Sequence, residues 1–359
     1  MPNKLVNNNN MPRTKNAPKK RINEEVSNTK INNDNDNNSN TKKKQRVNVH
    51  DIEIDENYIV LSTQGKRATM EDSYDVFIDH DDIFNIFSVF DGHGGYECAE
   101  FCKLNFNKEL YKNMIQTVTE DNNNNNNDDD NNNINTNTIH TVIENTFHEI
   151  DKSYCKLCET DETRIDGSTA TIVIHDIKNN KLHCASVGDS LAVLFRYGFN
   201  VTNSHSNHGG DGGEIKLLND IHLASDYDEK KRVVEAGGKI VYKNGISRVE
   251  GVLMVSRSIG DSYLKRLISS SPSISSHQIT NEEQERLVII GSDGLFDFIE
   301  PPELCNMFRQ CNDLNDVQAC VQRCVGTSIS RGSSDNITLI AIPICEKLKS
   351  KKRSDSLCS

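Results

Sequence analysis

The chain lacks any hydrophobic run that approaches the length of a transmembrane helix, and its start lacks the apolar stretch of a secretion signal. We therefore expect a protein without a membrane span, located in the cytoplasm, the nucleus or both.

Its 11 cysteines are an odd number and lie mostly within apolar stretches. No second CxxC pair accompanies the one at Cys155 and Cys158, so reduced core thiols are favoured over disulfides or a zinc site.

Positive charge is scarce in the central part of the chain. The net charge is −12, yet residues 1–50 hold 11 Lys/Arg against 4 Asp/Glu, and residues 346–359 hold 5 against 2. Residues 51–345 therefore carry −22. This acidic body argues against nucleic-acid binding, because neutralisation of phosphates supplies most of that affinity.

Composition also divides the chain into parts that can and cannot fold. Residues 1–50 include 15 Asn and almost no aromatic residues, so we expect a disordered basic tail. The basic runs there, and the run at 351–353, fit either a solvated tail or a nuclear-import signal. We expect one folded domain over residues 51–345, interrupted by low-complexity loops at 121–138 and 203–213, and then a basic tail over 346–359.

The folded part reads as short strands with helices inserted between groups of them. Apolar segments bounded by turn residues predict strands at 58–63, 74–78, 83–90, 169–175, 182–187, 191–196, 249–256, 287–290 and 337–342. Helical spacing of apolar residues predicts helices at about 99–114 and 139–155, and a third opens at Pro301. Residues 188–190 (GDS) between two strands predict a hairpin. The pattern favours an α+β fold with antiparallel sheets.

Acidic residues recur at the ends of short apolar segments, each beside a glycine or another polar residue. A strand end holds a carboxylate rigidly, and a neighbouring glycine allows close approach of backbone or ion. Gathered carboxylates suit Mg²⁺ or Mn²⁺ better than zinc or copper. The five points are Met70-Glu71-Asp72, Asp91-Gly92-His93-Gly94-Gly95, Gly260-Asp261, Ser292-Asp293-Gly294 and Ser334-Asp335-Asn336.

Two divalent ions held by such acids can activate a water and hold a phosphoryl group for in-line attack. Asp91 is placed to bridge them, and Gly92 can offer its carbonyl. Arg67 supplies the planar cation that phosphate recognition requires. His93 titrates in the range of a general acid. Singly, each of these residues has an ordinary structural interpretation, as a turn, a cap or a surface charge.

Seven ordered motifs closely resemble those of the type 2C family of metal-dependent protein serine/threonine phosphatases, over about residues 57–345. They are Arg67 to Asp72 (RATMED), Val89 to Gly95 (VFDGHGG), Gly167 to Ala170 (GSTA), Val187 to Ser190 (VGDS), Val255 to Asp261 (VSRSIGD), Gly291 to Asp297 (GSDGLFD) and Ser334 to Thr338 (SDNIT). The resemblance implies a β-sandwich of two antiparallel sheets flanked by helix pairs, with two Mn²⁺ or Mg²⁺ ions at one edge.

The same resemblance implies roles for individual residues. Asp91 would bridge the two metals, the Gly92 carbonyl would bind one, and Asp293 and Asp335 would bind the other. Arg67 would hold the phosphate and His93 would be the general acid. Four further residues would act around this set: Glu71, Asp72, Asp261 and Asn336. The implied activity is direct attack of metal-activated water on phosphoserine or phosphothreonine in phosphoprotein substrates, by a monomer.

The sequence departs from the family in two places. Residues 224–238 lack the usual Asp-His-Lys-Pro before Ala-Gly-Gly, where the family's flap begins. Arg164 stands where a third-metal Asp is expected, with Asp161 and Asp166 as possible substitutes. A catalytically silent relative that binds phosphoproteins or regulates a partner is the alternative, although the intact ligand set argues against it. A two-metal nuclease is disfavoured by the acidic body.

Overall fold

The computed structural model describes residues 49–124, 135–161, 163–196, 214–280 and 284–349. The expected tails fall outside these ranges, apart from residues 49–50 and 346–349, and so does the loop expected at 203–213. Of the loop expected at 121–138, only residues 125–134 lie outside them. Residues 121–124 and 136–138 are helical, which corrects the boundaries of that loop.

The strands follow one another with helices between groups, as the sequence predicts. The strands are β1 (Val49–Ile54), β2 (Ile59–Thr63), β3 (Asp72–Phe77), β4 (Phe84–His93), β5 (Gly167–Ser168), β6 (Ala170–Asp176), β7 (Lys181–Val187), β8 (Leu191–Arg196), β9 (Glu214–Leu217), β10 (Ile240–Lys243), β11 (Ile246–Val249), β12 (Ile259–Gly260), β13 (Ser273–Gln278), β14 (Glu285–Gly291) and β15 (Ile337–Pro343). The α-helices are α1 (Glu97–Asn124), α2 (Thr136–Cys158), α3 (Tyr227–Glu235), α4 (Asp293–Phe296), α5 (Pro301–Phe308), α6 (Leu314–Ser330) and α7 (Glu346–Lys349).

Two large antiparallel sheets form the body. One has six strands in the order β1-β2-β15-β14-β8-β9. The other has the order β12-β5-β4-β6-β7-β13, with β3 paired to β4 as a seventh strand. A separate two-stranded ribbon joins β10 to β11. The expectation of an α+β fold with two antiparallel sheets is confirmed.

Each sheet is covered on one face by the other sheet and on the opposite face by helices. The alternation along β4 shows this, because a strand directs successive side chains to opposite faces. Phe84, Ile86 and Phe90 pack with apolar residues of α1 and α2, whereas Phe87 and Val89 pack between the sheets. Helices α5 and α6 cover the six-stranded sheet in the same way. The result is a β-sandwich flanked by helix pairs.

Two local predictions are wrong. Strands β7 and β8 do not form a hairpin, because β7 pairs with β6 and β13, while β8 pairs with β14 and β9. The short link between them instead carries the chain from one sheet to the other. The strand expected at 249–256 ends at Val249, and a turn and isolated bridges follow.

The part of the chain that the structure describes contains no helix both long and apolar enough to cross a membrane. It contains ten free cysteines, of which nine are buried and Cys155 is partly exposed. Their burial agrees with the expectation that the cysteines are core residues.

Candidate metal centre

Strands β3 and β4 bring the first two acids to one end of the sandwich. Asp72 begins β3 and lies directly opposite Asp91 near the end of β4. Residues opposite one another in an antiparallel pair share a face. Tyr74, two residues after Asp72, and Val89, two before Asp91, both pack between the sheets. Both carboxylates are therefore on the inner face, at the edge where the two sheets meet.

Three carboxylates converge there. One oxygen each from Asp91, Asp189 and Asp293 lies within 4.8 Å of the other two. Asp91 comes from the seven-stranded sheet, Asp293 follows β14 of the six-stranded sheet, and Asp189 lies on the link between the sheets. The centre therefore draws on both halves of the sandwich.

These acids are held where ionisation is costly. Burial raises the pKa of Asp189 to about 6. Burial, followed by the charges of Asp189 and Asp335, raises the pKa of Asp293 to about 8. Burial and then the charges of Asp72 and Asp293 place the pKa of Asp91 well above its ordinary value. Like charges gathered in a poorly solvated place disfavour the charged form of each group.

Divalent cations fit this donor set. Within the described ranges, no Lys, Arg or His forms an ion pair with Asp91, Asp189 or Asp293. The charges of Arg67 and His93 act on Asp293 and Asp189 only from beyond ion-pair distance. Carboxylate and carbonyl oxygens are the ligands that Mg²⁺ and Mn²⁺ prefer. Bound cations would reverse the electrostatic penalty and keep the acids ionised.

Backbone contacts hold the Asp91 segment in place. The Thr169 hydroxyl accepts from the Asp91 amide at 3.0 Å, and the Thr169 amide donates to the Asp91 carbonyl at 2.9 Å. The Gly92 amide donates to the Glu71 carbonyl at 3.2 Å. A Cβ at Gly92 would lie 2.5 Å from that same carbonyl oxygen. Only glycine allows this approach of the two backbones.

Arg67 and Asp335 meet at the exposed side of the centre. An Arg67 guanidinium nitrogen lies 2.6 Å from Asp335 Oδ2, and half of the Arg67 side chain is exposed. Asp335 is close enough to the three carboxylates for its charge to raise their pKa values. Its own carboxylate accepts a hydrogen bond from Arg67. The pair places an exposed cation beside an acid that could also bind metal.

Asn336 fastens the loop that carries Arg67. Its Oδ1 accepts from the Glu71 amide at 2.7 Å, and its Nδ2 donates to the carbonyls of Gln64 at 2.8 Å and Thr69 at 3.0 Å. Asn336 is only 3% exposed. One buried amide thus fixes both ends of the 64–71 loop to the start of β15.

His93 is held by a buried acid. Its Nε2 lies 2.8 Å from Oδ2 of Asp261, an oxygen that also accepts from the Ser258 hydroxyl. Burial opposes the charged imidazole, but the hydrogen bond and charge of Asp261 outweigh it and raise the pKa of His93. A Cβ at Gly167 would meet Asp261 Oδ2 at 2.2 Å and His93 Nε2 at 2.6 Å. A glycine at 167 is therefore required for this contact.

The two acids considered for a third metal are already engaged. Buried Asp166 accepts from the Cys98 amide at 2.7 Å and from the Tyr154 hydroxyl at 2.6 Å. Asp161 lies 3.2 Å from Arg164 and also accepts from Thr163. In the segment 224–238, one turn precedes α3 and another follows it. Glu229 of α3 forms ion pairs with Arg232 of the same helix and with Arg257 outside it.

The structure brings most of the sequence candidates to one edge. Asp91 and Asp293 lie together, and Asp72 is buried beside them, where it accepts from the Ser292 hydroxyl at 2.9 Å. The sequence predicts a hairpin turn at residues 188–190 and therefore does not mark Asp189 as a ligand. Its Asp beside Gly is the same signal that marked the other acids, and that signal could have identified it.

Comparison with known proteins gives consistent matches. The family profile described as "Protein phosphatase 2C" matches residues 56–337. "Probable protein phosphatase 2C 59" of Arabidopsis thaliana is 31% identical over 288 residues, which covers 80% of this chain and 79% of the relative. "Probable protein phosphatase 2C 69" of the same plant is 32% identical over 293 residues, covering 81% and 71%. The crystal structure of serine-threonine phosphatase 2C from Toxoplasma gondii superposes with a TM-score of 0.67 at 20% identity, covering 81% and 94%.

Proposed function

Because the chain belongs to the protein phosphatase 2C family of protein serine/threonine phosphatases, we propose that it hydrolyses phosphoserine and phosphothreonine with two Mn²⁺ or Mg²⁺ ions bound at its acidic edge. The observation that carries the metal proposal is the convergence of Asp91, Asp189 and Asp293 within 4.8 Å without a cationic partner among the described residues. Such ions, when bound, supply an activated water and neutralise the phosphoryl oxygens.

The residues that would hold the ions are the carboxylates of Asp91, Asp189, Asp293 and Asp335, with the carbonyl of Gly92. Asp91 remains the proposed bridge, because it is paired with Asp72 in its own sheet and has a carboxylate oxygen within 4.8 Å of one from Asp293 on the facing sheet. Asp335 would bind an ion while it also remains paired with Arg67. Asp72 would stay behind this set, hydrogen-bonded to Ser292.

The chain's own groups would handle phosphate and proton. The exposed Arg67 guanidinium can donate two parallel hydrogen bonds to a phosphoryl group, and its pairing with Asp335 fixes it at the mouth of the centre. In protonated His93, Nε2–H donates to Asp261, which leaves Nδ1–H to donate to the departing serine or threonine oxygen. Asp261 orients the ring and favours its protonated form.

The wider assignments follow from the same premise. We propose phosphoproteins as substrates, a monomeric enzyme, and a cytoplasmic or nuclear location. The acidic body supports the absence of a nucleic-acid partner, since its net charge is −22 over residues 51–345.

The test is hydrolysis of a phosphothreonine peptide and an aryl phosphate by the purified full-length chain, with Mn²⁺, with Mg²⁺ and with a chelator. We expect turnover that requires metal and is lost in Asp293→Asn, which removes a ligand charge at nearly constant volume. Asp81→Asn, at an exposed turn between β3 and β4, is the matched control and should retain activity. A folded protein without turnover in either metal would instead support a silent, phosphoprotein-binding relative.

A further inference from the structure

Only one of the two carboxylate oxygens of Asp261, the residue that orients His93, is held by other side chains. Oδ2 accepts hydrogen bonds from His93 Nε2 at 2.8 Å and from the Ser258 hydroxyl at 2.5 Å. Oδ1 is buried without a hydrogen-bond partner among the described residues. The Asp261 backbone lies in the left-handed region, with φ of 49°, a conformation that persists only where the surroundings enforce it. The place of this carboxylate therefore depends on what holds the turn that carries it.

Two residues outside the proposed centre, Asp151 of α2 and Lys265, hold that turn. Asp151 Oδ1 accepts from the Gly260 amide at 2.9 Å. Lys265 Nζ donates to the Gly260 carbonyl at 3.0 Å and to the Ser258 carbonyl at 3.2 Å. The same Nζ lies 2.5 Å from Asp151 Oδ1. Gly260, the residue directly before Asp261, is thus held at both its amide and its carbonyl by the two members of one ion pair.

The Asp151–Lys265 ion pair is poorly exposed to solvent. The Asp151 side chain is 9% exposed and that of Lys265 is 27% exposed. Hydrogen bonds with a charged partner are stronger than neutral ones, and low exposure strengthens them further. Each of the three bonds to the turn has a charged partner, so the pair is suited to hold the turn in one conformation.

The pair is close to the general acid but separate from the proposed metal ligands. A single 3₁₀ turn, Ser262–Leu264, separates Asp261 from Lys265. Among the described residues, no hydrogen bond or ion pair joins Asp151 or Lys265 to a carboxylate proposed as a metal ligand. Loss of the pair should therefore act on the proton donor and leave the metal ligands in place.

We propose that Asp151 and Lys265 are positioning residues for proton donation by His93. Their ion pair fixes Gly260, the fixed turn holds the Asp261 carboxylate, and that carboxylate keeps the His93 ring directed at the departing serine or threonine oxygen. The inference rests on the phosphatase activity proposed above. Misplacement of a catalytic group by about 1 Å can lower a rate by about 10²-fold. Loss of the pair should therefore lower kcat with little change in KM, and chiefly where the leaving oxygen needs a proton.

The first measurement compares Lys265→Met with wild type in Mn²⁺, using full-length protein, a phosphothreonine peptide and an aryl phosphate with a good leaving group. We expect kcat for the peptide to fall about tenfold or more, and kcat for the aryl phosphate to fall about threefold or less. Lys181→Met is the matched control, because partly buried Lys181 also contacts α2, donating to the Thr136 hydroxyl at 3.1 Å. It should leave both rates unchanged.

A double variant separates positioning from the effect of an unpaired charge. Lys265→Met alone leaves Asp151 as a shielded charge without its partner, which can destabilise the fold by itself. Asp151→Asn/Lys265→Met removes that charge and keeps an oxygen acceptor for the Gly260 amide, but it does not restore the bonds to the Gly260 and Ser258 carbonyls. The double variant should therefore remain slow on the peptide, and it replaces Lys265→Met in both measurements if the single variant does not fold.

The second measurement needs neither metal nor turnover. In chelator, the His93 Nε2 proton should give a downfield proton NMR signal, because a hydrogen bond to a carboxylate deshields this proton and slows its exchange with water. His93→Gln identifies the signal by its loss. We expect Lys181→Met to keep the signal, and Lys265→Met to shift it upfield or remove it through faster exchange.

The proposal is wrong if Lys265→Met slows both substrates by the same factor, if the double variant regains wild-type turnover, or if the His93 signal is unchanged in both variants. It is also wrong if no signal is lost in His93→Gln, because the contact with Asp261 would then be absent. Wild-type protein that hydrolyses neither substrate would overturn the proposed phosphatase activity, and the NMR comparison would still decide independently whether the pair holds His93.

Discussion

Replacing Asp189 by Asn should stabilise the metal-free protein while weakening its response to metal. The folded state raises the pKa of Asp189 from 3.8 to about 6, so ionising this carboxylate costs stability. One pKa unit corresponds to about 1.4 kcal/mol, so two units give roughly 3 kcal/mol as an upper figure. Asp189 is partly exposed, which lets solvent reduce that cost, and we expect a gain of about 1–3 kcal/mol.

The dependence on pH follows from the direction of the shift. Above the folded-state pKa the carboxylate is charged in both states, and the folded state bears the full penalty. Below the unfolded-state pKa, about 3.9, it is protonated in both states and the penalty is absent. The gain from Asp189→Asn should therefore be full at about pH 8, smaller at about pH 5, and absent near pH 3 to 4.

The measurement is urea unfolding of both proteins in chelator at these pH values, repeated with Mn²⁺ at the highest. Wild type should gain more stability from Mn²⁺ than the variant, because a ligand that binds only the folded state stabilises it in proportion to its affinity. Asp81→Asn is the control, since it removes the same charge from an exposed turn. If Asp189→Asn destabilises the metal-free protein at about pH 8, the electrostatic account of this centre is wrong.

Three further changes test other parts of the edge. Asn336→Ala removes three hydrogen bonds to the loop that carries Arg67, so the free energy of unfolding should fall by about 1–3 kcal/mol. Because Arg67 would then be held less firmly, KM for a phosphopeptide should rise more than kcat falls. An unchanged KM would contradict this. Gly92→Ala forces a Cβ to 2.5 Å from a carbonyl oxygen and should cost about 1–3 kcal/mol in thermal or urea unfolding. Its control is Gly326→Ala in α6, where an added Cβ would have no atom within 4 Å, and this variant should be neutral or stabilising. His93→Gln should slow a phosphothreonine peptide by about 10²-fold or more but an aryl phosphate with a good leaving group much less, and equal losses would refute the general-acid role.

The fold could be predicted where the apolar pattern of a strand matches that of the helix that covers it. The run ending at Asp91 alternates between two buried faces, and the spacing of Ala99, Cys102, Phe106, Leu110 and Met114 predicts the helix that covers one of them. Strand β13 (SISSHQ) has few apolar residues, because it lies at the edge of its sheet, and no local pattern marks it. Its pairing with β7 is decided by tertiary contacts alone.

The site was only partly predictable for a related reason. Gly188, with φ of 98°, and Asp189 carry the same local signal whether the chain turns back within a sheet or steps across to the facing sheet. Which of these happens depends on the partners of β7 and β8, which lie elsewhere in the sequence. The hairpin prediction therefore failed, and Asp189 was missed for the same reason.

The position of β15 has a consequence for how the protein folds. This last strand lies in the middle of its sheet, between β2 near the start of the folded part and β14, which directly precedes α4 to α6. Its pairing with β2 joins residues more than 270 positions apart, for example Ile337 with Thr63. Long sequence separation slows the closure of such contacts.

During synthesis the six-stranded sheet therefore cannot be completed until β15 has left the ribosome. Until then β2 and β14 lack the strand that joins them, and Asn336 has not yet closed over the 64–71 loop. A nascent chain that stops before residue 337 would expose two strand edges suited to incorrect pairing. The edge that holds the carboxylates is thus among the last regions of the protein to form.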